Sequence, residues 1–280
     1  MGFMATMKAQ KAYSLHGKGD LVGAKKLYQE AVDKGLDSPR FLLGYAVLLI
    51  REGSYQQAKD ILVKTQKCPG LNDEMKIQMF VDYAACCFKL GQMERGVELL
   101  ERQHRKKVSG LVYQTLGYLY VEKYQPDARP RLTLADLPEQ PAAEEPAEAE
   151  PTSAEDDETR LRKAQEESDA AWTEGREAAK RFLEEAVEYD DEDPVCLDNL
   201  GQFYYRVLED PDAAKPWFDK AIEQKAGQID TLWFLSRYDL ADGNRAAAVE
   251  KLEKALEGRF SPLNFVTKEK VEKEISALKA

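Results

Sequence analysis

The sequence predicts an all-α solenoid of helical hairpins, closed by a C-terminal capping helix. Three observations carry that reading. Residues 194–222 read P-V-C-L-D-N-L-G-Q-F-Y-Y-R-V-L-E-D-P-D-A-A-K-P-W-F-D-K-A-I. Leu197, Leu200, Gly201 and Tyr204 fall at i, i+3, i+4 and i+7, one face of a helix; after a turn, Ala214, Phe218 and Ala221 do the same. Second, the small residues Gly201 and Ala214 let the two helices approach, while Tyr204 and Phe218 fill the space around the contact. Third, such a hairpin is too thin to bury its apolar face alone, and the chain supplies copies on either side.

The copies follow from self-similarity. Gly19-Asp20, Gly53-Ser54, Gly91-Gln92, Asp210-Pro211 and Gly243-Asn244 read as turns between paired helices, spaced by 34, 38 and 33 residues where consecutive. Asp210 before Pro211 suits an N-cap followed by the first helical residue. The helices before the turns carry the stripes Leu42/Tyr45/Ala46/Leu49, Phe80/Tyr83/Ala84/Cys87, Tyr113/Leu116/Gly117/Tyr120 and Leu232/Leu235/Ser236. Those after the turns carry Ala24/Tyr28/Ala31, Ala58/Leu62/Thr65, Gly96/Leu100/Gln103, Ala179/Leu183/Ala186 and Ala248/Leu252/Ala255.

The fourth copy is interrupted after its first helix. Residues 126–160 hold six of the twelve prolines and eleven acids against Arg129, Arg131 and Arg160. Apolar residues there are too few to offset the ordering entropy, so disorder is expected. From about residue 158 helical spacing returns through Leu161, Ala164, Ser168, Ala171, Trp172, Ala179, Phe182, Leu183 and Ala186. It reads as one long helix that projects from the array or folds back through Trp172; the alternative is an extra hairpin broken at Gly175. At the C-terminus, Thr267 caps a last helix whose apolar face is Val271, Ile275 and Leu278. The expected organisation is hairpins over 5–125, the acidic insertion over 126–160, hairpins over 161–258 and the cap over 262–280.

This pattern resembles the tetratricopeptide repeat, a helical hairpin of about 34 residues with L-G and then an aromatic in its first helix. Leu116-Gly117 with Tyr120, and Leu200-Gly201 with Tyr204, carry that signature; A-x-x-x-large-x-x-A recurs in the second helices. The resemblance covers nearly all of the chain outside 126–165. It departs at Lys8 and Lys11, at the displaced inter-repeat prolines, and at Gly96 and Gln103. It implies a right-handed α-α superhelix whose first helices line a concave, protein-binding groove.

The net charge is −11, and 126–160 alone contributes −8 (eleven acids, three bases), leaving the folded part near neutral at about −3. Neither part resembles a phosphate-binding surface, so nucleic acid is not expected as a partner. Cys68, Cys86, Cys87 and Cys196 lack metal spacing and read as free thiols of a reducing compartment. The longest apolar run, 41–50, spans roughly 15 Å as a helix, half a bilayer core. The N-terminus lacks the apolar core of a signal peptide. Gly2 with Thr6 matches a loose myristoylation pattern, against which bulky Phe3 speaks. The expected location is the cytoplasm, with no membrane contact.

No nucleophile, base or metal set converges. His16 and His104 fall in different repeats; Cys86 and Cys87, being adjacent, point about 100° apart on a helix. Gly17-Lys18-Gly19-Asp20 is a turn between helices and not a phosphate cradle, and the 190–193 run D-D-E-D lacks calcium-loop spacing. No enzyme activity and no cofactor or metal is expected.

Binding is the expected function. The first-helix positions outside the core stripe include Tyr13, Val47, Arg51, Phe88, Lys89, Gln114, Tyr118, Asp198, Asn199, Gln202, Tyr205, Arg206, Trp233 and Arg237. Aromatics and arginines at such positions are the usual anchors of protein interfaces, and Trp233 with Arg237 at i, i+4 offers both on one face. Part of this set is expected to pack between neighbouring hairpins instead. The Lys/Asn set by which some tetratricopeptide proteins clamp a terminal carboxylate is not reproduced. The expectation is a scaffold or adaptor holding a peptide or partner protein in its groove, as a monomer or with weak self-association. Two alternatives stand beside it: a self-assembling structural module in which Trp172 docks into another copy, and a regulator whose acidic insertion occupies the groove.

Overall fold

The structure is a computed structural model and describes residues 2–138 and 157–280. Among them run thirteen α-helices and no strand: α1 (Phe3–Gly17), α2 (Leu21–Asp33), α3 (Pro39–Arg51), α4 (Tyr55–Thr65), α5 (Asp73–Lys89), α6 (Met93–Lys106), α7 (Gly110–Lys123), α8 (Asp157–Tyr189), α9 (Pro194–Gln202), α10 (Pro211–Gln224), α11 (Ile229–Ala241), α12 (Arg245–Leu256) and α13 (Lys268–Lys279). They pair as six antiparallel hairpins, α1/α2 through α11/α12. First helices also pack against the next from α1 to α9, α11 meets α9 through Thr231 and Asp198, and α13 closes the array against α12.

Local chemistry sets the boundaries. Asp20, Asn72, Asp193, Asp210, Asn244 and Thr267 each accept a backbone N–H from the first turn of the helix that follows. In four hairpins the turn residue before the cap is a glycine at positive φ: Gly19, Gly53, Gly91 and Gly243. The fifth hairpin puts Glu209 there, at φ 54°, the one non-glycine residue at positive φ among the described residues.

The core is the stack of predicted stripes. Leu42, Ala46 and Leu49, then Ala84 and Cys87, then Leu116, are each fully buried. In α1 the buried face is Ala5, Ala9 and Ala12, small enough for close stacking, while Lys8 pairs with Glu30 of α2. Cys86 and Cys87 are both buried. Phe218 and Phe234 are fully buried and stack at 4.8 Å, 7° from parallel, and burial of each side chain is worth roughly 1.5–3 kcal/mol. In the cap, Val271 and Ile275 are buried and Leu278 packs beside them.

Three features refine or settle the sequence reading. The disorder expected over 126–160 does not hold for residues 126–138, which run back along α8, joined by Arg129 to Asp169 at 2.7 Å, Leu132 N–H to Gln165 at 2.9 Å and Arg160 to the Pro138 carbonyl at 2.9 Å. The polar side chains of α8 satisfy this backbone, which an apolar count does not foresee. Residues 139–156, the remainder of that stretch, lie outside the described residues. Second, α8 is the single long helix expected, unbroken at Gly175, and it takes the fold-back course: Trp172 packs on Tyr124 at 5.1 Å in the same chain. Third, α9 gives way to one π turn over Phe203–Val207, with Leu208 N–H bonded to the Phe203 carbonyl at 3.0 Å.

Candidate functional site

The concave face is lined by the first helices, and a polar ladder crosses three of them. From α7, Glu122 accepts from Arg206 Nη1 at 2.7 Å; Arg206 also donates to Gln202 Oε1 at 2.8 Å. Gln202 Nε2 donates to Asp198 at 2.7 Å, and Thr231 Oγ1 of α11 donates to the same carboxylate at 2.5 Å. Asn199 Nδ2 donates to the Gln114 carbonyl at 2.9 Å, and Gln114 Nε2 donates to Asp193 at 2.6 Å. Asp198 and Asp230 are buried near each other. Burial raises the pKa of both, and the Asp230 charge adds to the rise at Asp198. The π turn carries Tyr205 and Arg206, and such turns are frequent at functional positions.

The groove already holds a piece of the chain. Between α12 and α13, residues 258–267 (G-R-F-S-P-L-N-F-V-T) lie along the concave side. Asp230 accepts three bonds from them: Asn264 Nδ2 at 2.9 Å, Phe265 N–H at 3.0 Å and Val266 N–H at 3.1 Å. The Phe265 ring stacks on Phe234 at 5.3 Å, and the Arg206 guanidinium covers it at 3.8 Å. Leu263 reaches across to the core between α5 and α7.

That segment decides where the predicted groove residues go. Tyr13, Arg51 and Lys89 are exposed; Phe88, Gln114, Tyr205, Arg206 and Arg237 are half-buried. The expectation of open groove positions fails at Tyr118, Asn199, Gln202 and Trp233, which are buried at 5%, 2%, 1% and 9% exposure. Neighbouring first helices and residues 258–267 cover the first three. Trp233 and Arg237 both donate to Glu274 of α13, at 2.8 and 2.7 Å, with the guanidinium 4.4 Å above the indole. The i, i+4 pair read as a partner anchor is engaged in holding the cap. Asp198 is likewise buried. Elsewhere, Tyr13 packs on Phe41 at 6.0 Å beneath Arg40, Phe88 on Tyr118 at 5.7 Å beneath Lys89, and Tyr205 on Phe234 at 5.0 Å.

Two of the openings bordering this segment matter for binding. One, of about 470 Å³, lies among α7, α9, α11 and the 258–264 stretch, with Gln114, Tyr118, Asn199 and Asp230 in its wall. The other, of about 630 Å³, lies between the first hairpins and residues 259–269. The role of 258–267 escaped sequence reading, because those residues look like a plain linker into the last helix. Phe260 and Phe265 flanking Pro262 are the one signal: two aromatics in a loop need somewhere to bury.

Among the described residues no group of three or more His, Cys, Asp or Glu side chains is placed to hold a metal ion, and no helix is long and apolar enough to cross a membrane.

The chain matches no described family by sequence profile and no curated protein by sequence. Its fold has clear counterparts among solved structures. It superposes on a thermophilic tetratricopeptide protein of Thermus thermophilus with a TM-score of 0.57 at 16% identity, over 86% of this chain and 99% of that one. PilW, described as a widely conserved type IV pilus biogenesis factor, gives 0.57 at 12% identity over 98% and 100%. PilF of Pseudomonas aeruginosa gives 0.53 at 12% identity over 98% and 97%. By fold, the chain is a tetratricopeptide-repeat solenoid of six hairpins and a capping helix.

Proposed function

We propose that this protein is a non-catalytic adaptor that takes a non-helical segment of a partner protein along its concave face. The observation that carries the reading is the way the face treats residues 258–267. Buried Asp230 binds two consecutive backbone N–H groups of a turned, non-helical stretch and Arg206 clasps a neighbouring ring, so the surface is built to hold irregular chain by backbone and aromatic contacts. The 470 Å³ opening continues that surface towards α7 and has room for several side chains. Four free thiols, three of them buried, suit work in a reducing compartment such as the cytoplasm. Self-assembly through Trp172 has less support, since that ring packs on Tyr124 of its own chain.

The test is selection of displayed peptides on the purified full chain. Selected peptides should lose about tenfold or more in affinity when Gln114→Trp fills the opening, with the helical signal unchanged. Peptides indifferent to that substitution, or the failure of any peptide to bind, would reject the groove reading.

A further inference from the structure

The 630 Å³ opening has a chemistry of its own. The α1–α2 turn, the C-terminal ends of α3 and α5, and residues 259–269 surround it, and they bring His16, Arg51, Lys89, Arg259 and Lys268 to one cleft. The single carboxylate in the wall is Glu269, which is engaged with its own backbone N–H and the Thr267 hydroxyl at the start of α13. Arg51 Nη1 lies 3.2 Å from His16 Nε2. Neither Arg51, Lys89 nor Arg259 forms an ion pair with a carboxylate among the described residues, whereas most other groove cations do, Arg206 with Glu122 and Arg237 with Glu274 among them.

Two of these cations have an ordinary explanation. Arg51 and Lys89 close the last turns of α3 and α5, where the helix dipole favours positive charge. Lys268 has a long ion pair with Glu272 of its own helix, at 3.8 Å, and Arg259 has no such partner among the described residues. Arg259 lies beyond the end of α12, and Lys268 is the first residue of α13, the end at which the dipole disfavours a cation. Holding Arg259 beside Arg51 and His16 is repulsive: it disfavours the protonated forms of both, in addition to the effect of burial. A chain of net charge −11 thus gathers like charges, at a cost, in a cleft with an open mouth.

We infer that this cleft binds a carboxylate-rich segment of a partner protein, two or more Asp or Glu side chains within a few residues, lying between Arg51, Lys89, Arg259 and Lys268. The inference rests on the groove reading above and names the chemistry of what the groove accepts. An acidic segment relieves the repulsion among the cations, and the field of the cleft speeds its approach.

The experiment titrates the full chain with a labelled acidic peptide and with its Gln/Asn counterpart of equal length, at low and at physiological salt. The acidic peptide should bind about tenfold or more tightly than the neutral one at low salt, with the gap narrowing as salt rises. Arg259→Glu, at an exposed position with no ion-pair partner among the described residues, should abolish that preference while the helical signal stays constant. Binding should raise the His16 pKa, followed by NMR in a chain with only two histidines. Residues 139–156 carry seven acids and no cation and are a potential competitor, so the titration is repeated with them deleted. Acidic binding in either form, sensitive to Arg259→Glu, supports the inference. Equal affinities for the two peptides, or acidic binding untouched by Arg259→Glu, overturns it. If the neutral peptide binds and the acidic one fails in both forms, the inference falls and the groove reading stands; if neither binds, both fall.

Discussion

Gly201→Ala tests whether the repeat signature is a packing requirement. A Cβ built at Gly201 lies 2.8 Å from Phe218 Cε1 and 2.9 Å from Cδ1, where ordinary carbon contacts are about 3.5–4.0 Å. Something must retreat by roughly 0.7 Å. The Phe218 ring has nowhere to go: it is fully buried and stacked on Phe234, which is itself stacked on Phe265. Overpacking of this kind costs about 1–3 kcal/mol, and the better helix propensity of alanine returns about 1 kcal/mol. The expected net destabilisation is up to about 2 kcal/mol, read as a lower urea midpoint by far-UV circular dichroism at unchanged slope. Gly17→Ala is the control, because nothing lies within 4 Å of its added Cβ; it should stabilise by about 0.5–1 kcal/mol. In a Phe218→Leu background the cost of Gly201→Ala should shrink, since the two sites share one contact. A Gly201→Ala midpoint at or above wild type, or an equal cost in both backgrounds, would refute the packing argument.

Glu209 sits at φ 54° where the equivalent turns have glycine. Relief of left-handed strain, about 1–2 kcal/mol, exceeds the entropic cost of glycine, so Glu209→Gly should raise stability by about 0.5–1 kcal/mol while Glu209→Ala changes little; a lower midpoint for Glu209→Gly would contradict this. Asp82 accepts one bond from Gln78 at 2.9 Å, its Oδ2 is shut away without a partner, and burial pushes its pKa from 3.8 up to about 6. The folded state therefore holds that proton more tightly than the unfolded one: the penalty is absent below about pH 4, grows as pH rises to about 6 and is then constant. Asp82→Asn should accordingly gain on wild type by up to about 3 kcal/mol between pH 4 and 7 in parallel denaturation series, and a pH-independent difference would count against it. Asp230→Ala strands the Phe265 and Val266 N–H groups, so hydrogen exchange at 264–266 should quicken by about tenfold or more with the helical array intact; unchanged exchange would show that the carboxylate does not hold the segment.

Much of the fold was legible because each hairpin repeats the same local solution. The turns at Gly19, Gly53, Gly91 and Gly243 have the positive φ that glycine supplies, and the stripes around Leu42, Leu116, Leu200 and Leu252 are buried where helical spacing put them. The Thr267 cap and the Val271/Ile275 face were equally readable, since a cap and an amphipathic stripe are local properties. The π turn was not, because nothing in F-Y-Y-R-V departs from ordinary helical composition.

The site was less legible than the fold. A stripe tells which first-helix positions are core, and it leaves the others as a set without neighbours. Tyr118, Asn199, Gln202 and Trp233 look available on their own helices and are buried by elements distant in sequence. Trp233 and Arg237 are taken by Glu274, some forty residues on, and Asp230 by the Asn264 side chain and the backbone of 265–266. Periodicity and turn chemistry, which act over a few residues, determined here the helices, their pairing and the direction of their apolar faces. Which side of the stack the 258–267 segment lies on, and so which polar residues remain free, was decided only when the whole array set the curvature of the concave face. Side chains more than thirty residues apart compete there for the same contacts, and no local rule ranks them.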